Sequence, residues 1–385
     1  MKAVVFHGVG DIRLDDVPEP ELREPTDAIV RITQSAICGT DLHFVRGTMP
    51  GTKEGRILGH EAVGVVTEVG EHVRNLERND RVVVCSTIAC GTCSYCRAGY
   101  YAQCDNANPN GPGTAFFGGP EDAGGFDGLQ AEYARIPFAN VTCVKLPDEV
   151  SDEQAILISD IFPTGYQAAD IAEISDGDTV CVFGCGPVGQ FAVWSAKHLG
   201  AGRVIAVDAI EDRLELARHQ GAEIVNFDEE DPVELIEEMT RGIGPDRVID
   251  AVGVEAEPPR DQSDKEPHDE LFAPGGAPTR ALEWAVETVA KAGTLSIIGV
   301  YPPNVTGFPI GEAMMKNLTI TMGNCNHRKY VPRLVELVRT GSVDPTALIT
   351  RHEELVGAIE AYERFDRREE GWLKVALGVP SGRVV

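Results

Sequence analysis

Positive charge is what this sequence has least of. Its 385 residues include 61 acidic and 34 basic side chains, a net charge of −27, and only nine of the basic residues are lysine. That balance argues against nucleic acid as a partner, because phosphates demand a basic face. It also disfavours an anionic membrane surface. No run of about 18 apolar residues is present, so no membrane-spanning helix is expected. The opening stretch, MKAVVFHGVGDIRL, alternates as a β-strand does and lacks a signal-peptide pattern, which points to a cytoplasmic protein. There is no internal repeat and no long linker. A surface this acidic and lysine-poor resembles those of proteins from a salt-rich cytoplasm, where screening removes self-repulsion. The expectation is a halophilic protein; the plainer alternative is an ordinary acidic enzyme.

Cysteine, by contrast, is plentiful. Ten cysteines without an export signal suggest a reducing compartment, where thiols serve metals or cores. Four of them, Cys90, Cys93, Cys96 and Cys104, fall in the frame C-x2-C-x2-C-x7-C. Four thiolates this close in sequence can close a tetrahedral shell around one Zn²⁺, at S–Zn distances of about 2.3 Å. Two disulfides or a chance cluster are the alternatives. A four-thiolate shell has no open position, so the motif points to a zinc protein without pointing to a reaction.

The length suits two domains of roughly 150 residues or more each, and 43% hydrophobic residues allow a sizeable core. Residues 1–150 read as short β-stretches broken by Gly, Pro and Asp, among them AVVFHG, AIVRITQSA, AVGVVTEVG and RVVVC. That suggests an all-β, barrel-like unit. From residue 151 strands alternate with helices: TVCVFG, VGQFAVWSAKHLG, RVIAVD and DRLELARHQG, then RVIDAV and TLSIIGV. Alternation of this kind implies a doubly wound parallel sheet, and the fold class is α/β. Residues 255–278 interrupt the pattern with a stretch rich in Pro and charge. A loop that long is either a surface excursion or cover for a ligand.

Gly184-Cys185-Gly186-Pro187-Val188-Gly189 reads G-x-G-x-x-G between a buried strand and a helix, the context a dinucleotide site requires. The first glycine permits the tight turn, the second lets backbone approach a pyrophosphate, and the third lets helix pack on strand. Phosphates would sit on the free N–H groups of the helix N-terminus. Asp208 ends the next strand, 19 residues after Gly189. A carboxylate there accepts from ribose hydroxyls and repels a 2′-phosphate, so NAD is favoured over NADP. Arg213, one helical turn further on, either faces the adenosine or is a solvated helix-face arginine.

Three separated segments hold further candidate ligands, which pattern alone does not bring together: Cys38-Gly39-Thr40-Asp41-Leu42-His43, Gly59-His60-Glu61, and Ser159-Asp160-Ile161-Phe162-Pro163-Thr164-Gly165-Tyr166. A thiolate, an imidazole and a carboxylate would make a three-ligand zinc site with its fourth position open. Taken singly each residue is ambiguous. Cys38 and His60 are as readily core residues, and Asp160 a helix cap.

Here the sequence resembles a known family. Gly59-His60-Glu61, followed by Gly64, Gly70 and Val73, resembles the signature of zinc-containing alcohol dehydrogenases of the medium-chain dehydrogenase/reductase superfamily. The C-G-T-D-x-H segment, the four-cysteine stretch, S-D-I-x-P-T-G-Y and G-x-G-x-x-G follow in that family's order. The resemblance implies a GroES-like catalytic domain over 1–161 and 323–385, with a structural zinc lobe near 85–110, and a Rossmann NAD-binding domain over 162–322. It implies Cys38, His60 and Asp160 as catalytic zinc ligands and the four cysteines as structural ones, two zincs per subunit. Glu61 matches the glutamate behind the metal. Thr40 would accept the substrate's proton and His43 would relay it to solvent; a plain surface histidine is the alternative for His43.

Many members carry a third cysteine where this chain has Asp160. The aspartate form is similar to the glutathione-independent formaldehyde dehydrogenases, in which an insertion near 255–278 shields the cofactor. The implied activity is hydride transfer between a primary alcohol, or an aldehyde hydrate, and NAD. A polyol or sugar dehydrogenase of the same superfamily is one alternative, and a non-catalytic NAD-binding zinc protein another. Relatives pair as dimers and microbial members form tetramers, so a homotetramer or a dimer is implied.

Overall fold

The computed structural model describes residues 1–259 and 271–379. Part of the 255–278 stretch, residues 260–270, therefore lies outside the described residues. The chain divides into two units. The first holds Met1–Pro163 and the chain from Cys325 onward; the second begins at Thr164 and ends at Asn324. Leu271 and Phe272 are the exception, because they group with the first unit. The expectation that the whole 255–278 stretch belongs to the second domain therefore does not hold for these two residues. Phe272 is buried in the first unit's apolar core, and its N–H donates to the Asp366 carboxylate at 2.7 Å.

The first unit is β-rich. Its sheet runs in the order Arg351–Glu354, Val375–Gly378, Ala28–Ile37, Ala62–Val69, Arg81–Val84, Cys143–Lys145, and Tyr133–Ile136 also pairs with Ala28–Ile37. Lys2–Gly8 and Asp11–Asp16 form a separate hairpin. Register gathers chemistry at one end of the sheet. In an antiparallel pair one strand ends beside the start of its neighbour. Ser35 pairs with Ala62, Ala62 with Val84, and Ile37 with Val375. Cys38 lies just past one strand, His60 and Glu61 just before the next, Thr87 shortly after the third and Lys374 just before the fourth. Helix Asp152–Ser159 starts at a capping box made by Ser151 and Gln154 and packs on the two central strands. Its last turn brings Asp160 to the same end.

The second unit is a six-stranded parallel sheet in the order Glu223–Asn226, Arg203–Asp208, Thr179–Phe183, Arg247–Asp250, Thr294–Ile297, Thr319–Met322. Numbered along the chain this is 3-2-1-4-5-6, the Rossmann arrangement. Val180, Val182, Val204 and Ala206 form one apolar layer with Ala192 and Val193 of helix Pro187–His198. Cys181, Phe183, Ile205 and Val207 form the other with Leu282 and Val286 of helix Arg280–Thr288. A sheet covered on both faces needs strands that are apolar throughout, which is why TVCVF and RVIAV read as unbroken runs. The architecture is the expected one, a GroES-like β-rich unit and a Rossmann parallel sheet.

Candidate active site

Cys38, His60, Glu61 and Asp160 converge, with one potential ligand atom from each within 4.8 Å of all the others. All four residues are buried. Asp160 Oδ2 lies 3.3 Å from His60 Nε2 and 3.8 Å from Cys38 Sγ. A tetrahedral zinc shell of N, O and S donors has edges of about 3.3 to 3.8 Å, so the spacing fits one ion. His60 Nε2 and Glu61 Oε1 are buried and have no hydrogen-bond partner among the described residues. Buried polar atoms are nearly always partnered, so an orphaned imidazole nitrogen aimed between a thiol and a carboxylate suits a metal.

Each donor is held from behind. His60 Nδ1 meets Asp41 Oδ1 at 3.0 Å, and Asp41 Oδ2 accepts from the Cys38 N–H at 3.0 Å and from Gln130 Nε2 at 3.3 Å. Tyr362 extends the chain by donating its hydroxyl to Gln130 Oε1 at 2.8 Å. Such a carboxylate behind an imidazole fixes the ring and its tautomer. Glu61 forms a fully buried ion pair with Lys374, whose Nζ also donates to the Ile37 carbonyl at 3.1 Å. Asp160 follows the last turn of its helix, where the helix dipole disfavours a carboxylate. By position it is that helix's C-cap residue, but its carboxylate turns to a histidine: Oδ1 lies 2.6 Å from His327 Nε2.

These neighbours set the charges. Burial pushes the Asp160 carboxyl up, but His327 and His60 outweigh it and hold Asp160 well below the usual carboxylate range. Burial pushes the Cys38 thiol up, and the Glu61 charge adds to it. Burial lowers His60, yet Asp41, Cys38 and Asp160 together hold its proton on well above the usual histidine range. A metal that takes Nε2 displaces that proton, so metal affinity at this site falls in acid.

Thr40 is half-buried in the first turn of helix Gly39–Val45, and His43 is buried in its last. Three residues apart, they share one helix face. His43 is therefore not a surface histidine. Sequence reading assigned no role to Asp41, Thr87, His327 or Lys374. Asp41 was visible inside C-G-T-D-x-H; the other three carry no local pattern and are brought in by strand register and by the turn before helix His327–Arg339.

The four-cysteine stretch closes on itself. The sulfurs of Cys90, Cys93, Cys96 and Cys104 lie within 4.8 Å of one another, with Cys90 and Cys96 at 4.0 Å. None of the ten cysteines forms a disulfide. Backbone N–H groups of Thr92 and Cys93 each donate to Cys90 Sγ at 3.3 Å, and the Cys90 N–H donates to Cys104 Sγ at 3.2 Å. Burial opposes ionisation of Cys90, but the donors from Thr92 and Cys93 bring its thiol down to about 6. A cradle of N–H groups around thiolates suits a cation.

In the second unit the glycine turn has the shape its spacing predicts. Gly184 has φ +88°, and a Cβ on Gly189 would stand 1.8 Å from the Gly184 carbonyl oxygen. Pro187 and Val188 open helix Pro187–His198 directly after Gly186. Asp208 Oδ2 accepts from the Cys185 N–H at 2.7 Å, and its Oδ1 from the N–H groups of Ala209 at 2.8 Å and Ile210 at 3.0 Å. Three of about four carboxylate lone-pair sites are thus used. Arg213 turns toward the site, with Nη1 3.9 Å from Asp208 Oδ2.

The chain matches the family model for the alcohol dehydrogenase GroES-like domain over residues 24–148 and the one for zinc-binding dehydrogenase over residues 187–258. It is 41% identical over 385 residues to the uncharacterized zinc-type alcohol dehydrogenase-like protein AdhB of Bacillus subtilis, covering 98% of this chain and 100% of that protein. The chain belongs to the zinc-type alcohol dehydrogenase family. Among solved structures of the family, alcohol dehydrogenase TADH from Thermus sp. ATN1 superposes with a TM-score of 0.84 at 37% identity, over 98% of this chain and 100% of that one. The glutathione-independent formaldehyde dehydrogenase of Bacillus subtilis is 35% identical over 342 residues, 84% of this chain and 80% of that protein. Among the described residues of this chain, no helix is long and apolar enough to cross a membrane.

Proposed function

We propose that this chain is a zinc- and NAD-dependent oxidoreductase of primary alcohols or aldehyde hydrates, with Cys38, His60 and Asp160 as ligands of a catalytic zinc. The observation that carries the reading is the orphaned His60 Nε2, buried beside a thiol and a carboxylate at metal-shell spacing. When bound, Zn²⁺ acidifies a hydroxyl and NAD accepts a hydride. The chain's own part is orientation and proton transfer. Asp41 holds His60, Glu61 sits behind the ligands on Lys374, and Thr40 and His43 carry the hydroxyl proton away along one helix face. Cys90, Cys93, Cys96 and Cys104 hold a second, structural zinc.

Gly184, Gly186 and Gly189 shape the turn on which the pyrophosphate sits at the start of helix Pro187–His198, with Pro187 and Val188 in its first turn. Asp208 has an acceptor site left for ribose, and Arg213 beside it bounds the adenosine. Replacing Asp208 by Gly is expected to shift the ratio of kcat/KM for NAD over NADP by at least about tenfold toward NADP, or 1.4 kcal/mol. An unchanged ratio would count against the ribose role.

Asp160 in place of a third cysteine supports a place near the glutathione-independent formaldehyde dehydrogenases. A homotetramer or dimer is supported by an apolar edge. Met322 ends the outermost strand Thr319–Met322, and Ile310, Met314 and Met315 lie on helix Ile310–Met315 just before that strand in sequence; the four are 65%, 67%, 78% and 83% exposed. A second copy covering that edge would remove it from water. One experiment tests the whole reading: metal analysis and NADH absorbance over primary alcohols, polyols and formaldehyde, in dilute and in concentrated KCl. Two zincs per chain and turnover of primary alcohols or formaldehyde are expected, with stability rising with salt as a halophilic, cytoplasmic enzyme requires. A polyol as the sole substrate would favour the alternative, and full stability in dilute salt would remove the halophilic reading.

A further inference from the structure

The aspartate of the buried site is gripped by a histidine on one oxygen and presented to the other ligands on the other. Asp160 Oδ1 lies 2.6 Å from His327 Nε2, whereas Oδ2 faces His60 Nε2 at 3.3 Å and Cys38 Sγ at 3.8 Å. His327 is itself fixed. Its Nδ1 lies 3.1 Å from Thr87 Oγ1, which is 3.4 Å from the Cys325 carbonyl oxygen. The threonine hydroxyl has one proton. Given to Cys325, it leaves Oγ1 to accept from Nδ1–H; given to Nδ1, it leaves the ring proton on Nε2. The second presents Nε2–H to Asp160 Oδ1 from a neutral ring, and the first does so when the ring carries both protons. His327 and Thr87 are buried, at 2% and 5% exposure, so packing holds the ring in place.

A carboxylate can bind a cation through one oxygen or through both. Binding through both would fill the coordination position that a substrate needs, because a catalytic zinc works with three protein ligands and one open place. A thiolate has a single donor atom and needs no such restraint. We infer that His327 is a positioning residue that confines Asp160 to one-oxygen ligation and so keeps the fourth zinc position open. The inference rests on the zinc reading of the site, and it pairs His327 with an aspartate at 160 specifically.

The test compares wild type, His327→Phe and His327→Gln, each also in an Asp160→Cys background. The readouts are zinc per chain, zinc affinity by competition with a chelator, and the visible spectrum after Co²⁺ substitution. His327→Phe is expected to lower affinity for the second zinc 10- to 100-fold, the usual cost of losing an outer partner of a ligand. Zinc retained in the cysteine cluster shows that the variant is folded. The Co²⁺ bands are expected to weaken as four-coordination gives way to five, and His327→Gln, which keeps an N–H donor, is expected to restore both. In the Asp160→Cys background His327→Phe is expected to change neither. Wild-type affinity and spectrum in His327→Phe would overturn the inference, as would an equal loss in the Asp160→Cys background, which marks a merely structural role. A wild-type chain that takes up one zinc only overturns the zinc reading itself, and this inference with it.

Discussion

Asp160→Asn is expected to leave the chain folded, reduce its zinc from two per chain to one, and lower kcat by more than about 100-fold, the upper cost of losing only an outer partner of a ligand. The amide has the shape of the carboxylate, so packing around helix Asp152–Ser159 is kept. Its single oxygen, however, is claimed by the His327 Nε2–H that now faces Asp160 Oδ1 at 2.6 Å. The NH₂ group is then the end that faces Cys38 and His60. An NH₂ donates and has no lone pair for a metal, so it repels a cation from the position where Asp160 Oδ2 attracts one. The measurement is metal analysis with steady-state kinetics on the purified variant. Near wild-type turnover with two zincs would reject Asp160 as a ligand.

Lys374→Met is expected to be the most destabilising single change outside the metal ligands, at about 3–5 kcal/mol. Lys374 and Glu61 are both fully buried, at 1% and 0% exposure, and face each other as an ion pair. Removing the ammonium strands a carboxylate in a low-dielectric core. Burial already pushes the Glu61 carboxyl up to about 7 against the pull of Lys374, from an ordinary 4.5. Without the lysine it rises further. Between the ordinary value and the folded one, the folded variant binds more protons than the unfolded chain, so its stability falls as pH rises through that window. Urea midpoints for Lys374→Met are therefore expected to drop further below wild type at about pH 9 than at about pH 6. Adding Glu61→Gln removes the charge and is expected to recover most of the loss, since contacting residues couple strongly. An equal loss at both pH values would show that lost packing, not the stranded charge, sets the effect.

Much of this molecule is legible along the chain because it depends on neighbours in sequence. Cys90, Cys93, Cys96 and Cys104 span fifteen residues, and local turns alone can bring their sulfurs together. The glycine turn is equally local: Gly189 is glycine because the Gly184 carbonyl occupies the place of its Cβ. The parallel sheet is visible in its unbroken apolar strands. Less was legible where distant segments meet. Leu271 and Phe272 look like loop residues, and it is the apolar core of the β-rich unit, with the buried Asp366 carboxylate at the Phe272 N–H, that places them there. A surface position for His43 is equally compatible with the sequence, and only the burial of Asp41 through Val45 around the whole helix excludes it.

The sequence by itself determined the two-part α/β architecture, the cysteine cluster, the glycine turn and the family, because each rests on short-range spacing or on periodicity. Tertiary structure alone decided what surrounds the candidate ligands. Antiparallel register sets Lys374 behind Glu61 from 313 residues away, and the turn before helix His327–Arg339 sets His327 against Asp160 from 167 residues away. A buried charge takes its partner from whatever the fold places within about 4 Å, and at such separations no pattern along the chain records the choice.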